Sequence, residues 1–117
     1  MNPVHMSPED HDSLIAKISH LPHIIASALA ASLSDIPDNQ FSFAGGGLKD
    51  TTRVAGGSPR LWQSIIAQNS DEILKSIDQF EQSLKALKSS LAKEDLDGLH
   101  KILQDGESVR KTIEKSK

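Results

Sequence analysis

Apolar positions recur along this chain in two rhythms, and both are helical. Leu14, Ile15, Ile18, Leu21, Ile25, Ala28, Leu29 and Leu33 follow the 3.6-residue period. From Asn69 onward the steps alternate between four and three. Ile73, Ile77, Phe80, Leu84, Leu87 and Leu91 then make a heptad seam, with Lys, Glu, Asp, Gln and Ser on the other faces. Residues 69–91 are expected to form a rod of roughly 35 Å. A last helix over 94–115 carries Leu96, Leu99, Leu103 and Ile113 on one side, and the short turn before it implies an antiparallel hairpin. Residues 114–117 read as disordered.

Punctuation along the chain agrees with this outline. Ser7-Pro8-Glu9-Asp10 and Ser58-Pro59 each place a hydroxyl acceptor before a proline at a position that needs no N–H. Pro22 falls inside the first pattern, which resumes in phase. A kink that frees the Ile18 carbonyl is therefore expected, not a break. Ser34 to Asn39 reads as a stop and a loop. Phe41 to Gly57 is the least regular segment and holds five of the seven glycines. Leu48 to Ala55 inside it suits about two helical turns. The expected fold is all-α, with a kinked first helix and a long helix hairpin in one domain over 1–117.

Composition narrows the function classes. Thirteen Lys and Arg against sixteen Asp and Glu give a formal charge of −3, with no consecutive basic run. A duplex-binding surface needs a cationic face, so no nucleic-acid partner is expected. With no cysteine, disulfides and thiolate metal sites are excluded. The Leu21–Leu33 stretch is interrupted by Pro22, His23, Ser27 and Ser32, and residues 1–5 lack a signal-peptide pattern. The expectation is a cytoplasmic chain with no membrane partner. Aromatics are limited to three Phe and one Trp. A domain this small buries only about 65% of its unfolded surface, so a thin core is expected to lean on a partner. The seam accordingly has two readings: an intramolecular bundle core, or an interface between two chains.

Two segments carry candidate chemistry. His11, His20 and His23 are spaced nine and three apart and are expected to share one arc of the first helix. Histidines held in a core, a metal pair and an imidazole donor set all fit this spacing. The metal reading lacks a third strong ligand. The second segment, Phe43 to Arg53, gathers glycine backbone N–H groups, Asp50, two hydroxyls and one guanidinium. Glycines permit close approach of a ligand, and Arg53 suits a carboxylate through two parallel bonds. A flexible linker with an ordinary Asp50–Arg53 pair fits equally well. Neither the dinucleotide fingerprint nor the P-loop is present.

Taken in order, Ser7-Pro8-Glu9-Asp10-His11-Asp12, Ser19-His20-Leu21-Pro22-His23, Phe43 to Arg53 with Asp-Thr-Thr-Arg-Val-Ala, and Leu61-Trp62 before Asn69 resemble the C-terminal domain of prephenate dehydrogenases. The resemblance covers nearly the whole chain. It implies a helical dimerisation domain like those that follow a Rossmann domain in 6-phosphogluconate dehydrogenase-like enzymes. The implied reaction is NAD(P)-dependent oxidative decarboxylation of prephenate to 4-hydroxyphenylpyruvate, a step in tyrosine biosynthesis. It further implies that Arg53 grips a substrate carboxylate, that His23 contacts substrate with His11 and His20 nearby, and that Gly46 meets the ligand through its backbone. Asp50 would be a gate residue and Trp62 a pocket wall. The family's catalytic histidine and cofactor glycines belong to a preceding domain that has no counterpart here. No cofactor and no activity are therefore expected of this chain alone, which reads as a domain cut from a longer chain or a naturally short one. The implied homodimer uses helices 69–91 and 94–115. Arogenate dehydrogenase, or a stand-alone helical module binding tyrosine-like aromatic acids, are the alternatives.

Overall fold

A computed structural model describes residues 5–116. Met1–Val4, on which most of the signal-peptide expectation rests, and Lys117 lie outside the described residues. Among the described residues all regular structure is helical: α1 (Pro8–Ile15), α2 (Leu21–Ser32), α3 (Gly46–Thr52), α4 (Pro59–Gln68), α5 (Ser70–Ala92) and α6 (Leu96–Lys115). The chain divides after Ile77 into two units, and α5 runs through the division.

In the first unit both Ser-Pro starts behave as expected. Ser7 accepts from the Asp10 N–H at 3.1 Å, and Ser58 accepts from the Leu61 N–H at 3.3 Å. The Pro22 kink takes a different form from the one predicted. A π turn, Ala16–His20, joins α1 to α2, and the Leu21 N–H bonds to the Ala16 carbonyl. Pro22 has no N–H and its ring crowds the preceding turn, so widening the helix just before it removes the clash without ending the helix. The extra residue also moves the apolar stripe. Ala16, His23 and Ala26 are buried, while Ile18 is 62% exposed and Leu14 also faces solvent.

The run Pro8–Ser32 contains an 18-residue window of mean hydropathy 1.4, long and apolar enough by length and composition to cross a bilayer. The interrupted Leu21–Leu33 stretch thus overlaps a longer apolar run than the sequence reading allowed, a correction by length and composition only. Two short 3₁₀ turns, Asp38–Phe43 and Arg53–Gly56, flank α3, and α3 and the second of them pack against α2. Ile73 and Ser76 on α5 complete the core. Ser76 is tolerated there because its Oγ donates to the Glu72 carbonyl one turn back, at 3.1 Å. The core of this unit is built mainly from small residues, and it is thin.

The second unit holds the C-terminal part of α5, the turn and α6. The turn closes by a Schellman motif: the Asp95 N–H bonds to Ser90 O at 2.8 Å and the Glu94 N–H to Leu91 O at 3.2 Å. Glu94 occupies the left-handed position, with φ 57°. Asp95 then caps α6 by accepting from the Gly98 N–H at 3.0 Å. A Cβ at Gly98 would run into the Asp95 carboxylate and stand 2.9 Å from Ser90 Oγ, so glycine lets the cap close over the turn. Because an L-residue in that conformation costs about 1–2 kcal/mol, Glu94→Gly is expected to raise the thermal midpoint by about 4 °C. An unchanged or lowered midpoint in calorimetry would count against strain at Glu94.

Helix α6 extends to Lys115, so the disorder expected from residue 114 is not found at 114 and 115. No residue in 78–116 is buried. The seam is covered at Ile73 and open at Leu84 and Leu91, which are 54% and 59% exposed. Leu96, Leu103, Val109 and Ile113 on α6 are likewise open.

Candidate functional site

The site is assembled on α2 and α4. His23 follows Pro22 in the first turn of α2, and Trp62 lies in the first turn of α4, which Ser58 caps. Their rings stack with centroids 3.8 Å apart and 14° between planes. His20, at the end of the π turn, meets the same indole at 81°, with centroids 6.3 Å apart. An imidazole flat on an indole gains dispersion and electrostatic contact while leaving its ring nitrogens at the edge of the stack. Gly57 closes the other side. A Cβ there would stand 3.1 Å from Trp62 Nε1 and 3.4 Å from His23 Cε1, so only glycine lets the backbone come this near without displacing a ring.

This stack forms one wall of a hollow of about 470 Å³, completed by Ser27, Ala55, Gln63 and Ile66 among others. A second hollow of about 290 Å³ lies further along α2 and shares Ala30 with the first. Phe41, Leu48, Lys49 and Thr52 line it. Both walls are mainly apolar, with a few polar groups at each, the make-up common to small-molecule pockets.

The remaining residues singled out in the sequence are distributed around this stack. His11 is exposed, and its Nδ1 lies 3.6 Å from Asp12 Oδ1, so the arc expected of three histidines reduces to the pair around Trp62. The spacing itself is the reason: nine residues of regular helix turn through about 180°, so His11 on α1 never shared the face of His20. Gly46 opens α3, Asp50 is exposed on it, and Arg53 ends it and begins the 3₁₀ turn that carries Ala55 to the hollow. Arg53 is exposed and is not among the residues lining either hollow. No Asp50–Arg53 ion pair occurs among those of the described residues. Nothing lies within 4 Å of where a Cβ would stand at Gly45, Gly46 or Gly47, and no glycine among the described residues has positive φ. The chain's own packing therefore does not require that glycine run. Among the described residues no three His, Cys, Asp or Glu side chains group as metal ligands.

Sequence reasoning missed Gly57 and Asn69. Gly57 was one glycine in a cluster, and the pairing of its loop with Trp62 is a tertiary fact. Asn69 sits between α4 and α5, where a polar residue reads as a simple helix break. Its Nδ2 in fact donates to the Asp12 carbonyl at 2.9 Å and lies 3.4 Å from His20 Nδ1.

Similarity to known proteins agrees with the helical fold. Residues 7–105 match the family model described as prephenate dehydrogenase, dimerization domain. A prephenate dehydrogenase of Bacillus subtilis is 33% identical over 111 residues, which are 92% of this chain and 30% of that protein. The crystal structure of prephenate dehydrogenase from A. aeolicus in complex with hydroxyphenyl propionate and NAD+ superposes with a TM-score of 0.84 at 36% identity, over 94% of this chain and 40% of that one. Synechocystis arogenate dehydrogenase gives a TM-score of 0.84 at 31% identity, over 92% and 41%. This chain spans 30% to 37% of the length of the curated relatives it matches. From the ordered motifs, the helical architecture and these likenesses together, the chain belongs to the prephenate dehydrogenase dimerization-domain family.

Proposed function

We propose that this chain supplies the dimer contact and one side of the substrate pocket of an NAD(P)-dependent prephenate dehydrogenase. That enzyme would carry out oxidative decarboxylation of prephenate to 4-hydroxyphenylpyruvate. The observation that carries the proposal is the buried His23 ring laid on Trp62 at the wall of the apolar hollow. It presents an aromatic surface and an imidazole edge side by side, which suits a six-membered ring bearing polar substituents. The A. aeolicus relative binds hydroxyphenyl propionate, a ring with a carboxylate tail.

Prephenate is a dianion, so its pocket needs a fixed cation beside that apolar wall. Arg53 is the candidate, on the turn that leads into the hollow's edge at Ala55 and Gly57. Gly46 would offer backbone N–H at the start of α3 and Asp50 would gate the approach. His20 and His11 would extend the donor set outward. The cofactor is a different matter. Among the described residues no strand leads into a glycine-rich turn, and the Gly45–Gly47 run opens a helix of seven residues. These residues do not fit a dinucleotide cradle, so hydride transfer belongs to another domain of the working enzyme.

The open apolar positions of α5 and α6 support a homodimer through residues 69–91 and 94–115. The second unit, with no buried residue in 78–116, cannot hold itself together without a covering surface. Arogenate is the second substrate reading, favoured by the likeness to Synechocystis arogenate dehydrogenase.

Hydrogen bonds to a charged group contribute about 1.5–3 kcal/mol net. In the enzyme that carries this domain, Arg53→Ala is therefore expected to raise KM for prephenate about ten- to a hundredfold, with affinity for the nicotinamide cofactor unchanged. Steady-state kinetics with each substrate varied in turn measure both. An unaltered KM for prephenate would remove Arg53 from the pocket.

A further inference from the structure

We infer that Asn69 is a positioning residue that fixes the proton of His20 on Nε2, so that this imidazole offers a hydrogen-bond donor at the ring nitrogen away from Asn69. The Asn69 carboxamide has two ends, and its surroundings decide which is which. Its nitrogen lies 2.9 Å from the Asp12 carbonyl, an acceptor, so the NH₂ end must point there. The same nitrogen lies 3.4 Å from His20 Nδ1. An amide nitrogen only donates, so Nδ1 of His20 must accept and carries no proton. In the neutral ring the proton then sits on Nε2.

The arrangement ties three elements of the first unit together. Asp12 lies in α1, His20 ends the π turn, and Asn69 joins α4 to α5, where its own carbonyl accepts the Ile73 N–H at 3.0 Å. The two hydrogens of one amide group therefore set the spacing of the π turn from α5 and the tautomer of the ring that meets Trp62 edge to face. The consequence for a ligand rests on the pocket reading above. A ring of this tautomer serves a carboxylate or keto oxygen at Nε2 and cannot take a proton there. The tautomer itself is measured without ligand, so its failure is separable from failure of the proposed function.

The test uses the ¹⁵N-labelled chain above the imidazole titration range, with two-bond ¹H–¹⁵N correlation spectra reporting the His20 tautomer. The wild-type chain is expected to show the Nε2–H form. In Asn69→Asp a carboxylate faces Nδ1 and draws the proton to it. The Nε2–H to Nδ1–H ratio is expected to fall about fivefold or more, the change that one hydrogen bond of about 1 kcal/mol produces. A wild-type ring protonated on Nδ1, or an unchanged ratio in Asn69→Asp with native circular dichroism, overturns the inference. Should Asn69→Asp not fold, Asn69→Ala decides. Its His20 ratio is expected to move toward that of the urea-unfolded chain, and a ratio equal to wild type overturns the assignment.

Discussion

Leu84→Glu combined with Leu91→Glu is expected to weaken self-association of this chain by at least about a thousandfold while leaving α5 helical. Both side chains belong to the heptad seam and are more than half exposed in the single chain. Covering the remaining surface of one such leucine contributes about 1–1.5 kcal/mol. In a two-fold pair each substitution counts twice, so the loss reaches about 4–6 kcal/mol before the cost of burying carboxylates. That is three or more decades in Kd. Glutamate is a good helix former, so the helix itself should persist. Sedimentation velocity across a concentration series reads the equilibrium, and circular dichroism reads the helix. Gln82→Glu, on an exposed position off the seam, is the matched control and should sediment as wild type. A double variant that still sediments like the control would mean the seam is covered by something other than a second copy.

Much of the fold was legible because its signals are local. A serine before a proline satisfies an N–H three residues on, and this needs no tertiary information; Ser7 and Ser58 do so. The heptad seam likewise follows from spacing alone, and α5 differs from the predicted rod by one residue at each end. What spacing cannot say is which part of a seam its own chain covers. Ile73 is buried and Leu91 is open, although both occupy the same stripe. The first helical pattern misled for a related reason. Periodicity assumes constant phase, and the π turn before Pro22 inserts a residue that moves burial from Ile18 to Ala16 and His23. Glu94 was illegible too, since nothing in a glutamate advertises the left-handed conformation that the Schellman hydrogen bonds impose.

The site divides in the same way. His20, His23 and Trp62 were picked out as residue types in an ordered set of motifs, and all three meet in the structure. Their geometry was not available, because ring stacking depends on how α4 packs beside α2. Asn69 served only as a landmark after Leu61-Trp62, and nothing in the sequence pointed to its partners. Its importance comes from an acceptor 57 residues away.

Trp62→Ala should be the most damaging single substitution in the first unit. The indole is the common partner of His23 at 3.8 Å, of His20 edge to face, and of the Gly57 backbone. Truncating a large aromatic costs about 3–5 kcal/mol in a full core. Trp62 is only partly buried, which places the expected loss near about 2–4 kcal/mol, or about 8–16 °C in the thermal midpoint. Trp62→Phe separates the two roles of the ring. Phenylalanine keeps an aromatic face for His23 and should cost less than about 1.5 kcal/mol, yet it lacks the indole N–H that stands beside Gly57. If the stack holds His23 in place, the phenylalanine variant keeps the His23 ring proton shifts displaced by ring current, and the alanine variant returns them to those of an exposed histidine. Calorimetry and the two spectra together decide the matter. A Trp62→Ala chain that melts with wild type, its His23 shifts unmoved, would mean that α2 holds the imidazole without help from α4, and the wall of the hollow would have to be rebuilt from other residues.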